Sequence, residues 1–173
     1  MIVIDLGCAP WGEEVSIEKL VRRFEPATLF GFDPALIHPS QYAIGATSCV
    51  LSPKAAWTYD GWIGYEPAAQ RSALVQTGGT PVECFDFAEF LVAMGSELED
   101  DLVVKMDIEG AEYELLDYLH EGGQDAGIDL LLVEWHCLSC GRGGDNADGR
   151  CPNCRKKVRR ITDLRCETED WNG

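Results

Sequence analysis

Four cysteines near the C-terminal end of the sequence form two pairs, each with two residues between its cysteines. They are Cys137 and Cys140, followed after ten residues by Cys151 and Cys154. Thiolates at this spacing, joined by a turn rich in Gly, Asp and Asn, can surround one zinc ion tetrahedrally. Because four protein ligands leave no position for water or substrate, we predict a structural zinc site rather than a catalytic one.

A second group of chemically capable side chains follows two apolar runs of the sequence. Asp107 and Glu109 come after DLVVKM, and Glu134 and His136 end the run LLLVEWH. If the two runs are parallel strands of one sheet, their carboxyl ends lie at the edge where open α/β sheets bind ligands. An imidazole has an ordinary pKa near 6.5, so His136 is a candidate base toward a hydroxyl acceptor. Asp107 is the candidate for contacting the cofactor or the acceptor, and Glu109 lies beside it.

Each of these residues also has an alternative interpretation. Asp107 and Glu109 can cap a helix that begins near Ala111, because acidic side chains favour the first turn of a helix. His136 is adjacent to Cys137 and can belong to the zinc site or to the core. The same carboxylates and imidazole can also hold a hard divalent cation such as magnesium or manganese.

A third set of residues suggests a cofactor site. The first apolar run ends in IDLGCAPWG, where a glycine turn allows a ligand to approach the backbone closely. The second run ends in GFDP, where a carboxylate can accept hydrogen bonds from ribose hydroxyls. The loop lacks both GxGxxG and GxxxxGK[ST], which disfavours a pyrophosphate or triphosphate ligand. S-adenosylmethionine has no phosphate, and its sulfonium cation suits an acidic pocket. The expected cofactor-binding residues are Asp5, Gly7, Cys8, Gly12 and Asp33.

The elements that must position these groups alternate between strand and helix patterns. Short apolar runs typical of buried parallel strands are MIVID, TLFGFD, YAIGATSCVL, DLVVKMD and IDLLLVEW. Apolar residues at helical spacing lie between several of these runs. They are Ile17, Leu20, Val21 and Phe24, then Phe87, Phe90, Leu91 and Met94, then Ala111, Leu115, Tyr118 and Leu119. The alternation predicts an α/β fold with a doubly wound, mostly parallel sheet.

One stretch breaks this alternation. Trp57 and Tyr59 precede Asp60-Gly61, and Trp62 and Tyr65 follow it. Asp-Gly flanked in this way predicts a β-hairpin. Its aromatic side chains either cover the sheet or form a flap that faces the substrate.

Two segments resemble the FkbM family of S-adenosylmethionine-dependent methyltransferases, namely LVVKMDIEGAEYELL at 102–116 and LLLVEWH at 130–136. That family has a strand, KxDxEGxE, a helix, and a strand that ends in Glu and often His. IDLGCAPWG is similar to its cofactor loop, LFGFDP to its second acidic strand end, and PVECFDFAEFL to its approach to the fourth strand. The resemblance covers roughly residues 1–136. It implies a Rossmann-like methyltransferase sheet, S-adenosylmethionine as cofactor, and methyl transfer.

The charge of the chain is distributed unevenly. Residues 1–141 hold six basic and 24 acidic residues, and residues 142–173 hold eight basic and six acidic residues. An acidic body repels nucleic acid and anionic membranes, so any polyanion must contact residues 150–165. Basic residues there either neutralise the zinc thiolates and dock on the acidic body, or contact phosphate or an acidic acceptor. They are Arg150, Arg155, Lys156, Lys157, Arg159, Arg160 and Arg165.

We therefore expect a methyltransferase domain over residues 1–136, completed by a small zinc ribbon-like clip with a basic tail over residues 137–173. The expected reaction is O-methylation of a hydroxyl on a small-molecule, sugar or lipid-like acceptor. Two alternatives stay open: an RNA methyltransferase that uses the basic clip, and a non-catalytic zinc-ribbon adaptor. The sequence lacks a secretory signal pattern and an apolar run of about 20 residues, so we expect a cytoplasmic protein without membrane partners.

Overall fold

The computed structural model describes residues 1–8, 15–66, 73–75, 78–95, 101–137, 150–151, 154–158 and 160–171. Its elements in chain order are β1 (Ile2–Leu6), α1 (Ser16–Phe24), β2 (Thr28–Phe32), β3 (Ser40–Ile44), β4 (Thr47–Ser52), β5 (Ala55–Trp57), β6 (Gly61–Glu66), β7 (Ala73–Val75), β8 (Thr80–Asp86), α2 (Phe87–Gly95), β9 (Leu102–Met106), α3 (Glu112–Gly122), β10 (Leu130–Val133) and β11 (Glu167–Asp170). A short 3₁₀ helix, Gln124–Gly127, connects α3 to β10.

The main sheet has seven strands in the order β11-β10-β9-β1-β2-β4-β3. All neighbouring strands pair in parallel except β3 and β4, which are antiparallel. The prediction of a mixed α/β fold with a mostly parallel central sheet is confirmed. From β1 the chain continues to β2 on one side and later returns to β9 on the other. In open α/β sheets, such a reversal of strand order opens a crevice at the carboxyl ends of the two strands.

Helices cover the main sheet on both faces. Ile4 of β1 belongs to the core cluster that contains Phe87 of α2 and Leu115 of α3. Val3, the preceding residue, belongs to a second cluster with Leu20 of α1. Since side chains alternate along a strand, these clusters lie on opposite faces of the sheet. The helical spacing in the sequence thus placed all three helices correctly.

The run YAIGATSCVL contains two strands, so its prediction as one buried parallel strand was wrong. β3 and β4 pair as an antiparallel hairpin around Gly45, which has a φ of 60°. Glycine reaches this left-handed conformation without the steric penalty of a Cβ atom, and the chain reverses there. Only β4 pairs in parallel with β2, and β3 forms an exposed edge of the sheet.

The hairpin predicted at Asp60-Gly61 is also wrong. β5 and β6 do not pair with each other, because both pair with β8, which lies between them in a second sheet of order β5-β8-β6-β7. The carboxylate of Asp60 accepts a hydrogen bond from the backbone N–H of Asp86 at 3.0 Å. This bond ties the segment between β5 and β6 to the end of β8. Of the flanking aromatic residues, Trp57 and Tyr65 are buried, whereas Trp62 is 68% exposed.

The chain beyond the cysteines returns to the main sheet. β11 pairs in parallel with β10 and completes that edge of the sheet. Val158 and Ile161, from the connection between these two strands, are buried in the same core cluster as Leu115 of α3. In the described part of the chain, no helix is both long and apolar enough to cross a membrane.

Candidate active site and cysteine cluster

Backbone hydrogen bonds align the ends of four neighbouring parallel strands. The N–H of Gly7 donates to the carbonyl of Phe32 at 2.9 Å, and the N–H of Asp107 donates to the carbonyl of Leu6 at 3.1 Å. Next in the row, the N–H of Glu134 donates to the carbonyl of Met106 at 3.0 Å. The loop after β1 and the acidic residues after β9 and β10 therefore share the carboxyl edge of the sheet.

The predicted reacting residues lie together at this edge. The imidazole Nε2 of His136 is 3.3 Å from Oε2 of Glu109 and 3.8 Å from Oδ1 of Asp107. His136 is almost fully buried, whereas 26% of the Asp107 side chain and 32% of the Glu109 side chain are exposed. Asp107 and Glu109 are thus open to solvent at this carboxyl edge, here called the cleft, whereas His136 lies behind them.

Glu112 fixes the orientation of the His136 ring. Its Oε1 lies 2.5 Å from Nδ1 of His136, and its side chain has no exposed area. Because a carboxylate accepts hydrogen bonds, Nδ1 carries a hydrogen and Nε2 is the nitrogen that faces Asp107 and Glu109. Burial alone would lower the pKa of His136, but hydrogen bonds to Glu109 and Glu112 outweigh burial and raise it to about 11. In this arrangement His136 is a charged imidazolium.

The acidic residues after β9 do not cap α3 with their side chains. Ala111 precedes the helix, and no side chain donates or accepts a capping hydrogen bond there. Instead, the N–H of Ile108 donates to Oε1 of Glu112 at 3.2 Å. Glu109 has a φ of 60°, an unusual conformation for a residue with a side chain. Such strain costs about 1 to 3 kcal/mol and is concentrated at functional sites.

A buried lysine links the two central strands beneath the cleft. The Nζ atom of Lys105 lies 3.0 Å from Oδ1 of Asp5 and 3.4 Å from Oδ2 of Asp107. It also donates to the carbonyl of Gly7 at 2.9 Å. The hydroxyl of Ser16 donates to the other oxygen of Asp5 at 2.5 Å. Asp5 is fully buried, and through Lys105 it is linked to the carbonyl of Gly7 in the predicted cofactor loop.

The remaining predicted cofactor residues lie around the same loop. Gly7 has a φ of 81°, and a Cβ atom built there would lie 1.8 Å from the carbonyl oxygen of Asp107. The backbone of Gly7 therefore packs directly against the backbone at the end of β9. Cys8 is buried, and burial together with Asp5 raises the pKa of its thiol. Asp33 ends β2 and accepts a hydrogen bond from the N–H of Ala35 at 2.7 Å. Gly12 lies outside the described residues.

Comparisons of the chain with known protein families, curated proteins and solved structures find no match. The function is therefore inferred from the site itself.

Glu134 adds a further carboxylate to the cleft. Burial, with the nearby Asp107 carboxylate, raises its pKa to about 7. Burial is the larger cause, and the Asp107 carboxylate adds to it because a second negative charge nearby disfavours ionisation. Its position directly after β10 was the sequence signal that placed it there.

Three of the four predicted zinc ligands come together. The sulfur atoms of Cys137, Cys151 and Cys154 all lie within 4.8 Å of one another. The sulfurs of Cys137 and Cys154 are 3.5 Å apart, near the ~3.8 Å separation of two thiolates on one tetrahedral zinc ion. This separation is far longer than a disulfide bond. Cys140 lies outside the described residues.

The backbone around the second cysteine pair forms a tight turn. The N–H of Cys151 donates to the carbonyl of Lys156 at 2.8 Å, and the N–H of Arg155 donates to the carbonyl of Cys151 at 2.9 Å. Arg155 has a φ of 61°, which reverses the chain directly after Cys154. This turn contains Cys151 and Cys154, whose sulfur atoms lie close to that of Cys137. The three cysteines can therefore bind a metal ion together.

Two of the basic residues of the tail form ion pairs, one with the acidic body and one within the C-terminal segment. A guanidinium nitrogen of Arg165 lies 2.8 Å from the carboxylate of Asp125, which is buried. A guanidinium nitrogen of Arg160 lies 3.0 Å from the carboxylate of Asp170 in β11. Arg159 lies outside the described residues. The pair of Arg165 with Asp125 favours the interpretation that the basic tail docks on the acidic body.

Sequence reasoning missed two residues of the site, Lys105 and Glu112. Both lie in KMDIEGAE, the segment that carried the family resemblance, so the motif held the signal. Without that motif, a lysine in an apolar strand or a glutamate in the first turn of a helix would be expected to point into solvent. Their contacts with Asp5 and His136 become visible only when β1, β9 and β10 lie side by side.

Proposed function

We propose that this protein is an S-adenosylmethionine-dependent methyltransferase that methylates a hydroxyl group of a small-molecule, sugar or lipid-like acceptor. The observation that carries the proposal is the convergence of Asp107, Glu109 and His136 at the carboxyl edge of the sheet, where their donor atoms lie within 4.8 Å of one another. These side chains come from two different strand ends, and Glu112 fixes the imidazole from behind. A non-catalytic adaptor has no need of such a group.

The sheet supports the same function. The six parallel strands lie in the order β4-β2-β1-β9-β10-β11, which matches the 3-2-1-4-5-6 order of doubly wound nucleotide-binding folds. In such folds the ligand binds where the strand order reverses, which in this sheet is between β1 and β9. Asp33 ends the adjacent strand β2, where a carboxylate can accept hydrogen bonds from ribose hydroxyls. This arrangement, with the resemblance to the FkbM family, favours a Rossmann-like methyltransferase.

The residues of the cleft suit methyl transfer to oxygen. When bound, S-adenosylmethionine supplies a methyl group on a sulfonium ion. The main task of the protein is to hold the acceptor oxygen in line with that carbon and to exclude water. The partly exposed carboxylates of Asp107 and Glu109 can accept the hydrogen of an acceptor hydroxyl. His136, predicted as the base, is almost fully buried and turns Nε2 toward both carboxylates, so we propose that it positions Asp107 and Glu109 rather than contacting the acceptor itself.

The cysteines contribute to structure in this proposal. Cys137, Cys151 and Cys154, with Cys140 as the fourth ligand, bind one zinc ion that orders the connection between β10 and β11. Thiolates are the ligands that structural zinc prefers, and the three described sulfurs have fitting separations. Because Arg160 and Arg165 pair with acidic residues of the chain itself, a small-molecule acceptor is favoured over RNA.

The test is to incubate the purified protein with S-adenosylmethionine labelled on its methyl group, with a cell extract as the source of acceptors. We expect the labelled product to be a methyl ether and not a methyl ester. Asp107→Asn should lower kcat by a factor of about 10² to 10⁴ and leave the Kd for S-adenosylmethionine nearly unchanged. Asp117→Asn, the same change on α3 outside the cluster, is the matched control and should retain activity. The proposal fails if calorimetry detects no binding of S-adenosylmethionine, or if Asp107→Asn keeps full turnover.

A further inference from the structure

We propose that Asp107, Glu109 and His136 bind one divalent first-row metal cation, in a site separate from the cysteine cluster. Its role would deepen the proposed function, on which that role rests, because a cation there would hold and polarise the acceptor hydroxyl. Binding itself depends only on the geometry of the three side chains.

The donor atoms have the spacing that one ion requires. Nε2 of His136 lies 3.3 Å from Oε2 of Glu109 and 3.8 Å from Oδ1 of Asp107, and donor atoms of all three residues lie within 4.8 Å of one another. Adjacent donors about 2.1 Å from a common ion are separated by about 3.0 to 3.5 Å. Small side-chain rotations therefore suffice to place an ion between the three donors.

The far side of the imidazole is built as in metal-binding histidines. Histidines that bind metals almost always donate the hydrogen of their other ring nitrogen to a carboxylate or carbonyl. Nδ1 of His136 lies 2.5 Å from Oε1 of Glu112 and 3.1 Å from the carbonyl of Glu134. Glu112 is fully buried, and among the described residues its Oε2 atom has no hydrogen-bond partner. A buried carboxylate with an unsatisfied oxygen is costly unless positive charge lies nearby.

The charges of the site are also unbalanced. Five carboxylates lie in it or beside it, those of Asp5, Asp107, Glu109, Glu112 and Glu134. In the described part of the chain, the cations that contact them are Lys105 and His136. A divalent cation that takes Nε2 of His136 in place of its proton would offset more of this negative charge.

The backbone presents the ligands at the open side of the cleft. Glu109 adopts its φ of 60° immediately before Gly110, which has a φ of 106°. This turn directs the chain from the end of β9 back toward α3, with Glu109 next to the ring of His136. Asp107 and Glu109 are partly exposed, so an ion can enter from solvent.

The ligand types indicate which metal binds. Carboxylate oxygens suit magnesium, calcium and manganese, and imidazole suits first-row transition metals. Mn²⁺ accepts both kinds of ligand, whereas the thiolates of the cysteine cluster favour zinc. The two sites should therefore select different metals within one chain.

The experiment is a titration of the zinc-loaded full-length chain with Mn²⁺, followed by the electron paramagnetic resonance signal of free Mn²⁺. We expect one bound Mn²⁺ per chain without cofactor or acceptor. Glu109→Gln and His136→Gln should each weaken binding at least tenfold, and Glu112→Gln, which removes a positioning residue, about 10- to 100-fold. Glu114→Gln, the same change at an exposed position of α3, should leave the affinity unchanged.

The readout separates this proposal from the methyltransferase proposal, since Mn²⁺ binding is measured without S-adenosylmethionine. Wild-type protein that binds no Mn²⁺ would overturn the metal site, whatever the variants do. So would Mn²⁺ binding that survives both Glu109→Gln and His136→Gln. A chain that binds Mn²⁺ through these residues but transfers no methyl group supports the metal site and refutes only the proposed reaction.

Discussion

The ammonium of Lys105 lies 3.0 Å from the carboxylate of Asp5, and neither side chain has any exposed area. The two residues are direct partners in the pairing of β1 with β9, where the order of the sheet reverses. Burial would lower the pKa of Lys105, but the ion pairs with Asp5 and Asp107 outweigh burial and hold it above its ordinary value. The Lys105 ammonium therefore stays charged and joins the strand ends beneath the cleft.

Replacing one partner of this pair should be more harmful than replacing both. Lys105→Met leaves the charge of Asp5 buried without its partner, and we expect a loss of about 3 to 5 kcal/mol in the free energy of unfolding. The double variant Asp5→Asn with Lys105→Met removes both charges and should be more stable than Lys105→Met alone. Urea denaturation of four proteins measures the coupling: the wild type, Asp5→Asn alone, Lys105→Met alone and the double variant. Strictly additive effects of the two substitutions would contradict the ion pair.

Gly7→Ala should destabilise the fold by more than a positive φ alone explains. A Cβ atom at Gly7 would lie 1.8 Å from the carbonyl oxygen of Asp107, so β1 and β9 would have to separate. Gly45→Ala is the matched control, because Gly45 also has a positive φ but no heavy atom lies within 4 Å of its Cβ position. We expect Gly45→Ala to cost about 1 to 3 kcal/mol in thermal or urea unfolding. Equal losses in the two variants would rule out the backbone clash.

Asp33→Ala should weaken binding of S-adenosylmethionine by about 1.5 to 3 kcal/mol, because a hydrogen bond between a carboxylate and a ribose hydroxyl is lost. Asp129→Ala is the control. Asp33 accepts a backbone hydrogen bond from Ala35 at 2.7 Å, and Asp129 accepts one from Leu102 at the same distance. Asp129 directly precedes β10, at the amino ends of the strands, whereas Asp33 follows β2 at their carboxyl ends. The Asp129 variant should therefore keep the cofactor affinity. Isothermal calorimetry on both variants tests the assignment, which is wrong if Asp33→Ala binds as tightly as the wild type.

The cysteine cluster should contain one zinc ion per chain. Replacing Cys151 and Cys154 with Ser removes two thiolates, so elemental analysis should find the zinc lost. Hydrogen exchange should then quicken in residues 150–171, whose order depends on the ion. Cys166→Ser, a half-buried cysteine outside the cluster, should keep the zinc. A metal-free wild-type protein with the same slow exchange would refute the zinc site.

Acid should destabilise the contact between the 3₁₀ helix and Arg165. Burial would raise the pKa of Asp125, but hydrogen bonds from His120 and from Arg165 outweigh burial and lower it. A lowered folded-state pKa gives stability that is present above the unfolded value of about 3.9 and lost as the pH falls through the folded value.

Asp125→Asn should therefore cost about 1.5 to 3 kcal/mol at pH 6, and the difference from wild type should shrink below about pH 3.9. Asp163→Asn provides the control, because Asp163 approaches the same histidine but its side chain is 78% exposed. Urea unfolding at several pH values measures both differences. A difference for Asp125→Asn that stays constant down to pH 2 would contradict the lowered pKa.

Much of the sheet could be predicted from the sequence because burial on both faces leaves continuous apolar runs. β2, β9 and β10 each lie within a predicted run, and β1 extends one residue beyond its own. The helical spacing of Leu20 or Leu115 follows from one buried face. The errors arose where a long-range contact decides the local structure. Gly45 divides a run that is apolar along most of its length, and β8 separates two strands that an Asp-Gly turn would otherwise pair.

The candidate site was predicted only at the strand ends. Asp107, Glu109 and His136 could be found because parallel strands bring their carboxyl ends to one edge. Glu112 could not, since its role depends on how the first turn of α3 meets the residue after Trp135. The charged state of His136 was equally hidden, because an ordinary pKa says nothing about the carboxylates that surround the ring in the folded protein.

The position of β11 has a consequence for synthesis on the ribosome. Its partner β10 ends at Val133, and β11 begins only at Glu167. During translation β10 therefore emerges with one edge unpaired, and it stays so until the cysteine segment and the residues beyond it have been made. Unpaired strand edges promote aggregation. We expect the yield of well-folded protein in cells to depend on zinc supply during translation, because cysteines that bind zinc early bring β11 to this edge sooner.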